Sequence, residues 1–356
     1  MKSPARANPR HRTAFAPWRG RRAKAALCAA AGGGLLALSV GAAANDTSAE
    51  LGAGGLVYAR SNEVSIESET LFLSMDRVTV DYVFRNTADY DVETIVAFPM
   101  PDIEMDPYGA VSIPRFDDNF LGFTVEADGR TIAPELQQRA FANGVDVTEL
   151  LTEAGLPVSP LSYYSDTLDL ASLPQETIAE FVERGIVMAE YDPAQGRYVE
   201  PVEPIWTLKS AYWWRMTFPA GADVSVHHDY TPAVGGTVDV YFIEEGGKEM
   251  LASREETYCV DQSFVKGLRR RQSEARARGE YGYTEHWLSY VLTTGANWAG
   301  RIGHFRLIID KGSVDNLVSF CGEGVTKTGP TTFEMEKTEF WPQEDLHVLF
   351  ATKVVQ

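Results

Sequence analysis

Most of the chain alternates apolar and polar residues in short runs, which is the period-two pattern of strands with one buried face. These runs lie at 64–69, 78–84, 92–98, 120–126, 130–132, 205–218, 224–230, 237–243, 283–292, 302–309, 317–320, 331–335 and 347–351. Asp128 and Gly129 predict a tight hairpin turn, and Gly235 and Gly236 predict another turn. The pattern therefore predicts a mainly β, sandwich-like antiparallel fold, built as one large sandwich or as two β-rich lobes.

Two parts of the chain depart from this pattern and predict helices. Within residues 133–204 the predicted helices lie at 134–142, 147–154 and 174–185, and the last begins with a proline and ends at a glycine. Residues 263–280 predict a surface helix, which carries a basic stretch in an otherwise acidic region.

These patterns divide the chain into four segments. They are a signal peptide at 1–44, an N-terminal β-sandwich lobe at 45–132, an α-helical insertion at 133–204, and a C-terminal β-rich lobe with one surface helix at 205–356.

The first segment has the composition of a secretory signal peptide. Eight Lys or Arg residues and no Asp or Glu accompany an apolar run at 25–40, which is followed by an A-x-A site at 42–44. We therefore expect cleavage between Ala44 and Asn45 and a periplasmic mature protein. The run is rich in Ala and Gly and shorter than the ~20 apolar residues that cross a bilayer, which favours cleavage over the alternative of a retained anchor.

Removal of this segment changes the charge of the protein. The whole chain carries −18, and because residues 1–44 hold eight basic residues and no acidic one, the mature chain carries −26. A chain this acidic repels phosphates, so nucleic-acid binding is not expected. The mature sequence has no 18 uninterrupted apolar residues, so no transmembrane segment is predicted in it.

The cysteines predict one covalent link. Of three cysteines, Cys28 lies in the signal peptide, and Cys259 and Cys321 remain after cleavage. An even pair in an oxidising compartment predicts a disulfide between them, with two buried thiols as the alternative.

Sequence motifs for catalysis are missing. The chain has no H-E-x-x-H, no G-x-S-x-G and no phosphate-binding loop, so we expect neither a catalytic residue set nor a bound cofactor. His227 and His228 are adjacent in a predicted strand and point to opposite faces, so they cannot share one metal ion. A metal-assisted hydrolase with a dispersed site that uses His228 is the alternative hypothesis.

The candidate ligand site is the loop at 294–300. There Asn297 offers hydrogen bonds and Trp298 a stacking face between glycines that let a ligand approach closely. Trp213 lies in an aromatic segment at 212–214, where alternation exposes one face of the strand. For the loop at 294–300, the alternative to a ligand site is a structural turn with Trp298 in the core. The leading hypothesis is a non-enzymatic binding or cell-envelope interaction module, whose partner is an envelope protein or a glycan.

Several segments of the mature chain resemble one bacterial family. They are residues 45–56 (NDTSAELGAGGL), 96–103 (VAFPMPDI), 228–236 (HDYTPAVGG) and 293–300 (TTGANWAG), together with 218–221, 258–259, 310–312, 317–321 and 327–334. They are similar to the exported family catalogued as domain of unknown function 4424, over nearly all of residues 45–351. The resemblance implies an exported bacterial protein, and it carries over no activity, cofactor or catalytic residue.

Overall fold

The structure is a computed structural model that describes residues 45–52, 55–105, 110–112 (backbone only), 119–163 and 168–354. The predicted signal peptide at 1–44, including Ala44 at its cleavage site, lies outside the described residues. Within these ranges the chain is mainly β, as the alternation predicts. No helix in the described ranges is long and apolar enough to cross a membrane.

The elements of the described ranges alternate short strands with few helices. The strands are, in chain order, β1 (Thr47–Gly52), β2 (Gly55–Ala59), β3 (Val64–Leu73), β4 (Val78–Asn86), β5 (Val92–Pro99), β6 (Ala110–Ser112), β7 (Thr124–Ala127), β8 (Arg130–Ile132), β9 (Glu135–Ala142), β10 (Val145–Asp146), β11 (Val187–Asp192), β12 (Arg197–Pro204), β13 (Thr207–Phe218), β14 (Asp223–Tyr230), β15 (Val234–Thr237), β16 (Tyr283–Tyr290), β17 (Ile302–Asp310), β18 (Leu317–Phe320), β19 (Thr326–Lys327), β20 (Thr332–Phe340) and β21 (Leu346–Lys353). The α-helices are α1 (Thr148–Glu153), α2 (Gln175–Glu183), α3 (Lys248–Tyr258) and α4 (Gln262–Ala277). Short 3-10 helices lie at Pro160–Tyr163, Leu170–Ser172, Tyr241–Ile243 and Thr293–Asn297.

The described strands pair in three larger sheets and one hairpin. The sheets have the orders β19-β20-β17-β3-β4-β14-β7-β8, β10-β9-β13-β5-β1-β2 and β18-β21-β16-β15-β6, and β11 pairs with β12. Among these strands the pairing is antiparallel except between β3 and β17, which run parallel. In the eight- and six-stranded sheets, strands from 45–132 are neighbours of strands from 205–356, so the two segments share sheets. The segment boundaries at 132 and 204 stay a prediction.

The main core lies between the eight-stranded sheet and the inner faces of the other two sheets. Buried Val80 and Leu307 come from the first, Phe98 from β5, and Tyr290 and Phe350 from β16 and β21. Each strand gives alternate residues to this core, because successive side chains point to opposite faces.

The five-stranded sheet buries its second face under α3 and α4. Leu268 of α4 packs there with Leu349 and Ala351 of β21. Of the two helices in this layer, α4 was predicted from the sequence and α3 was not. The helix at 263–280 is confirmed as α4. Helix α3 has no periodic apolar residues that predict it, because Tyr258 is the one residue of this helix that is classed as buried.

Residues 134–142 form strand β9 and not the predicted helix. The segment contains good helix formers such as Glu135 and Gln137, but it pairs with β13 over most of its length. Tertiary pairing overrides this preference, because it satisfies backbone groups along an otherwise open edge of β13. The signal that could have revealed the strand is Asn143 followed by Gly144, whose positive φ angles form the tight turn to β10.

Of the other local predictions, three are confirmed and one is wrong. The helices at 147–154 and 174–185 are confirmed as α1 and α2, and the Asp128–Gly129 hairpin is confirmed between β7 and β8. The predicted strand at 237–243 is wrong, because β15 ends at Thr237 and a 3-10 helix follows.

Candidate functional site

The predicted ligand loop at 294–300 is folded into the core. Trp298 is only 3% exposed, and its ring packs against Phe84 and Phe218 with centroids 4.9 and 5.9 Å away. Its Nε1 donates a 2.6 Å hydrogen bond to the backbone oxygen of Asp46. Trp298 therefore has no free face for stacking, and the alternative of a structural turn describes this loop correctly.

Asn297 and Trp213 do not join Trp298 in one site. The Asn297 side-chain amide donates to Thr47 Oγ1 at 3.0 Å, so this donor is already used by β1. Trp213 is half-buried on the outer face of the six-stranded sheet, where it packs with Ala97. Trp298 lies in the core on the other side of that sheet, so the three residues cannot contact one ligand.

His228 belongs to a group of buried polar side chains that we call the core polar cluster. Its members are each less than a tenth exposed, and they are Asn45, Asp46, Glu69, Tyr82, His228, Tyr290 and Thr294. His228 Nε2 lies 3.1 Å from Asp46 Oδ2. The His228 ring also packs nearly parallel to the rings of Phe98 and Phe123, with centroids 4.8 and 5.1 Å away. The histidine is therefore enclosed by its carboxylate partner and by aromatic rings.

Burial perturbs both carboxyl groups of the core polar cluster. Loss of solvent raises the pKa of Glu69 to about 8, although a hydrogen bond from Asn45 opposes the shift. Burial also raises the pKa of Asp46, and the facing His228 opposes that shift. Among the described residues, Asp46 Oδ1, Glu69 Oε1 and His228 Nδ1 have no hydrogen-bond partner.

The described part of the chain gives His228 no metal-ligand set. No three His, Cys, Asp or Glu side chains there are grouped so that they could hold a metal ion. As expected, His227 points to the opposite face of β14, where its Nδ1 lies 2.7 Å from Asp81 Oδ1. The alternative of a metal-assisted hydrolase thus finds only Asp46 beside His228 in these residues.

The predicted disulfide joins α3 to the five-stranded sheet. The Sγ atoms of Cys259 and Cys321 are 2.07 Å apart, and their Cα atoms are 5.1 Å apart. Cys259 directly follows α3 with a φ of 52°, and Cys321 directly follows β18. The bond therefore holds the C-terminal end of α3 beside the sheet.

An open cleft lies beside this end of α3, and we call it the α3 cleft. Its volume of about 560 Å³ is in the range of small-molecule sites. The described residues that line it are Pro101, Asp102, Ile103, Glu104, Phe120, Leu121, Tyr230, Pro232, Ala233, Gly235, Thr257, Tyr258, Trp287, Leu288, Ser289, Val291, Asp345 and His347. None of the ligand residues expected from the sequence is among them.

Strand register places a serine–histidine pair in the α3 cleft. Ser289 of β16 is the cross-strand partner of His347 in β21, and Ser289 Oγ lies 2.8 Å from His347 Nδ1. Trp287, two residues before Ser289, points to the same face of the sheet. The Tyr258 ring stands edge-on to His347 with centroids 6.3 Å apart. The sheet thus presents hydrogen-bonding and aromatic groups side by side.

A glycine lets Trp287 lie close against β15. A Cβ atom on Gly235 would meet Trp287 Nε1 at 2.3 Å, so any side chain there would displace the indole ring. The Arg254 guanidinium lies 5.5 Å from the ring centroid of Trp287 and pairs with buried Glu285 at 2.5 Å. Gly235 thus marks a close approach within a strand and not the predicted turn.

The charged groups of the α3 cleft are acidic. Asp102, Glu104 and Asp345 line it, and its described lining contains no Lys or Arg. Asp102 forms an ion pair with Lys209, which opposes the rise in its pKa that burial causes. Asp345 accepts hydrogen bonds from the backbone and side chain of Thr293 at 3.2 and 2.9 Å. Carboxylates beside aromatic faces favour a positively charged ligand.

The α3 cleft could not be found from sequence motifs, because its residues are scattered between positions 101 and 347 and come together only when the strands, the loops and α3 pack in the folded chain. The signal that the sequence did hold is the alternation in β16, which places Trp287 and Ser289 on one face.

Fold and cleft together define a disulfide-linked, mainly antiparallel β protein with an open cleft of ligand size. The chain belongs to the family described as a domain of unknown function, DUF4424, whose model matches residues 44–349. The resemblance expected from the sequence is thereby confirmed.

The two other comparisons add little to this assignment. No curated protein matches the sequence. Among solved structures the chain is similar to a Legionella pneumophila protein that is provisionally named a nutrient binding protein. The two are 18% identical with a TM-score of 0.42, and the match covers 87% of this chain and 71% of the Legionella chain.

Proposed function

We propose that this chain is an exported, non-enzymatic binding protein and that the α3 cleft binds a small organic cation. The observation that carries the proposal is the chemistry of the cleft, which combines three carboxylates and aromatic walls with no basic residue in its described lining. Export is supported by the signal-peptide composition of residues 1–44 and by the disulfide, which suits an oxidising compartment.

The carboxylates favour a cation over a neutral sugar. In a partly enclosed site the attraction between opposite charges is stronger than in bulk water, because the effective dielectric constant is lower. Asp102 already has Lys209 as its partner. A neutral ligand would cover Asp345 without supplying the opposite charge, which costs solvation free energy. The Arg254 guanidinium already lies 5.5 Å from the Trp287 ring centroid, so Trp287 adds apolar contact area to the cleft and the carboxylates supply the attraction to a cation.

A panel of cations tests this proposal on the exported protein. Choline, benzyltrimethylammonium and agmatine are compared with 3,3-dimethylbutan-1-ol, which has the shape of choline without its charge. A ligand at about 100 times its Kd stabilises the folded state by about 2.7 kcal/mol. We therefore expect at least one cation to raise the Tm by roughly 5 °C, and the neutral alcohol to leave it unchanged.

A matched pair of variants locates the binding. Trp287→Ala removes the aromatic face of the cleft and should abolish the rise in Tm. Trp341→Ala removes an indole that is 38% exposed and does not line the cleft, and it should keep the full rise. The proposal fails if no cation of the panel raises the Tm, or if the neutral alcohol raises it as much as choline.

A further inference from the structure

Asn45, the residue after the predicted cleavage site, is held in the core by its backbone and by its side chain. Its N–H donates to Thr294 Oγ1 at 3.1 Å, and its carbonyl oxygen accepts from the same hydroxyl at 2.7 Å. Its side chain donates to Glu69 Oε2 at 3.1 Å and to the Leu292 oxygen at 3.4 Å, and accepts from the Tyr82 hydroxyl. These bonds fix residue 45 inside the core polar cluster.

The surroundings of Asn45 contain more acidic groups than basic ones. Glu69 and Asp46 are both fully buried, and each has one oxygen without a hydrogen-bond partner among the described residues. His228 faces Asp46, but the hydrogen bond that Glu69 accepts within the described residues comes from the neutral amide of Asn45. A buried carboxyl group without an opposite charge destabilises the folded state or has to stay protonated.

We propose that cleavage between Ala44 and Asn45 supplies the missing cation, because the new α-ammonium group of Asn45 stays in the core and offsets the charge of Glu69. Hydrolysis with one water molecule breaks the peptide bond and gives a carboxylate on Ala44 and an ammonium group on Asn45. The ammonium belongs to the same residue whose side chain contacts Glu69, so the cation arises inside the cluster.

This inference rests on the proposed export and is independent of the ligand of the α3 cleft. Its consequence is that the processed chain is more stable than a chain with residues before Asn45. Removal of the signal peptide and completion of the core are then one coupled event.

The test uses the full chain, expressed in a bacterium and recovered from its periplasm. Mass spectrometry of the recovered protein should show Asn45 as its first residue. A second full chain carries Gly-Ser inserted between Ala44 and Asn45, so cleavage after Ala44 moves the ammonium away from Glu69. We expect this extension to lower the Tm by roughly 5 °C. It should also raise the reaction rate of the α-amino group with an N-terminus-selective aldehyde about tenfold, because the extended terminus is no longer protected by the folded core.

A charge-neutral variant separates the ammonium from simple crowding. Glu69→Gln keeps an acceptor for Asn45 but removes the charge, so in this background the extension should lower the Tm by less than half as much. Glu126→Gln changes an exposed carboxyl of β7 and should leave the effect of the extension unchanged. If Glu69→Gln does not fold, the reaction rates of the native and extended chains decide alone.

The possible failures can be told apart. A chain recovered from the periplasm that begins at a residue other than Asn45 overturns this inference alone, as do equal Tm values and equal reaction rates of the native and extended chains. The same holds if Glu69→Gln leaves the effect of the extension unchanged. A chain that keeps residues 1–44 and is absent from the periplasm overturns this inference together with the proposed export. Binding of choline is a separate measurement and depends on none of these results.

Discussion

The core polar cluster and the α3 cleft contain the same kinds of side chains and differ in their exposure. The cluster combines Asp46, His228 and aromatic rings, and the cleft combines Asp345, His347 and aromatic rings. In the cluster these groups are enclosed by other protein groups, so their interactions contribute to the stability of the fold. In the cleft they line an open volume, so they are available to a ligand. Burial, and not residue type, separates the structural group from the candidate site.

The sharpest contrast between the two regions is expected from their histidines. His228→Ala leaves Asp46 buried without its partner, and it should lower the free energy of unfolding by about 3–5 kcal/mol. His347→Ala removes one half-exposed hydrogen bond to Ser289 and should lower it by about 1 kcal/mol. Urea unfolding of the two variants measures both values. Equal losses would show that the cluster and the cleft do not differ as the structure indicates.

The disulfide links the stability of the fold to the shape of the cleft. Replacing Cys259 and Cys321 together by serine should lower the free energy of unfolding by about 2–4 kcal/mol. Because the bond holds the end of α3 where Tyr258 lines the cleft, we also expect weaker cation binding. Calorimetric titration measures the affinity for the cation. An unchanged Kd in the double variant would show that the position of α3 does not matter for binding.

The buried Glu69 predicts a pH dependence of the stability of the fold. In a chain extended before Asn45, its pKa of about 8 in the folded state exceeds its ordinary value of 4.5, so the folded state binds more protons between these values. Its contribution is therefore fully present below pH 4.5 and is lost as the pH rises through about 8.

This dependence can be measured by urea unfolding at several pH values. In the extended chain, the free energy of unfolding should decline by about 1 kcal/mol per pH unit between 4.5 and 8, and Glu69→Gln should remove this decline. The processed chain should show a smaller decline, because the α-ammonium group of Asn45 lowers the pKa of Glu69. The same decline in all three proteins would exclude Glu69 as its source.

The last prediction concerns cation binding and the glycine that packs against Trp287. Gly235→Ala should displace the indole ring and weaken cation binding about tenfold, which corresponds to about 1.4 kcal/mol. Gly267→Ala in α4 is the matched control, because its new Cβ atom would lie at an ordinary 3.7 Å from Leu317. If both variants bind a cation equally well, the position of Trp287 does not matter for binding.

The sequence predicts local features and covalent pairing better than it predicts the site. The turn at Asp128–Gly129 and helix α2 are decided by residues that are neighbours in sequence. The disulfide between Cys259 and Cys321 could be predicted because these are the two cysteines that follow the predicted cleavage site. These predictions are confirmed because none of them required the pairing of distant strands to be known.

Features that depend on distant partners were missed or misjudged. The residues around Trp298 are those expected of a ligand-binding loop. Its indole, however, is fixed by a hydrogen bond to the backbone oxygen of Asp46, which lies 252 positions away in the sequence. Strand β9 depends on pairing with β13, and in the α3 cleft Ser289 lies beside His347 because β16 pairs with β21. No local pattern in the sequence encodes which of these surfaces becomes buried.

The most direct test compares Trp287 of the α3 cleft with Trp298 of the loop at 294–300 as contacts of the ligand. Calorimetric titration of the purified protein with the cation that gives the largest rise in Tm is repeated for Trp287→Ala and Trp298→Phe. We expect Trp287→Ala to lose binding, and Trp298→Phe to bind with an unchanged Kd at a temperature below its lowered Tm. Loss of binding in Trp298→Phe with full binding in Trp287→Ala would contradict the assignment of the α3 cleft and return the site to the loop at 294–300.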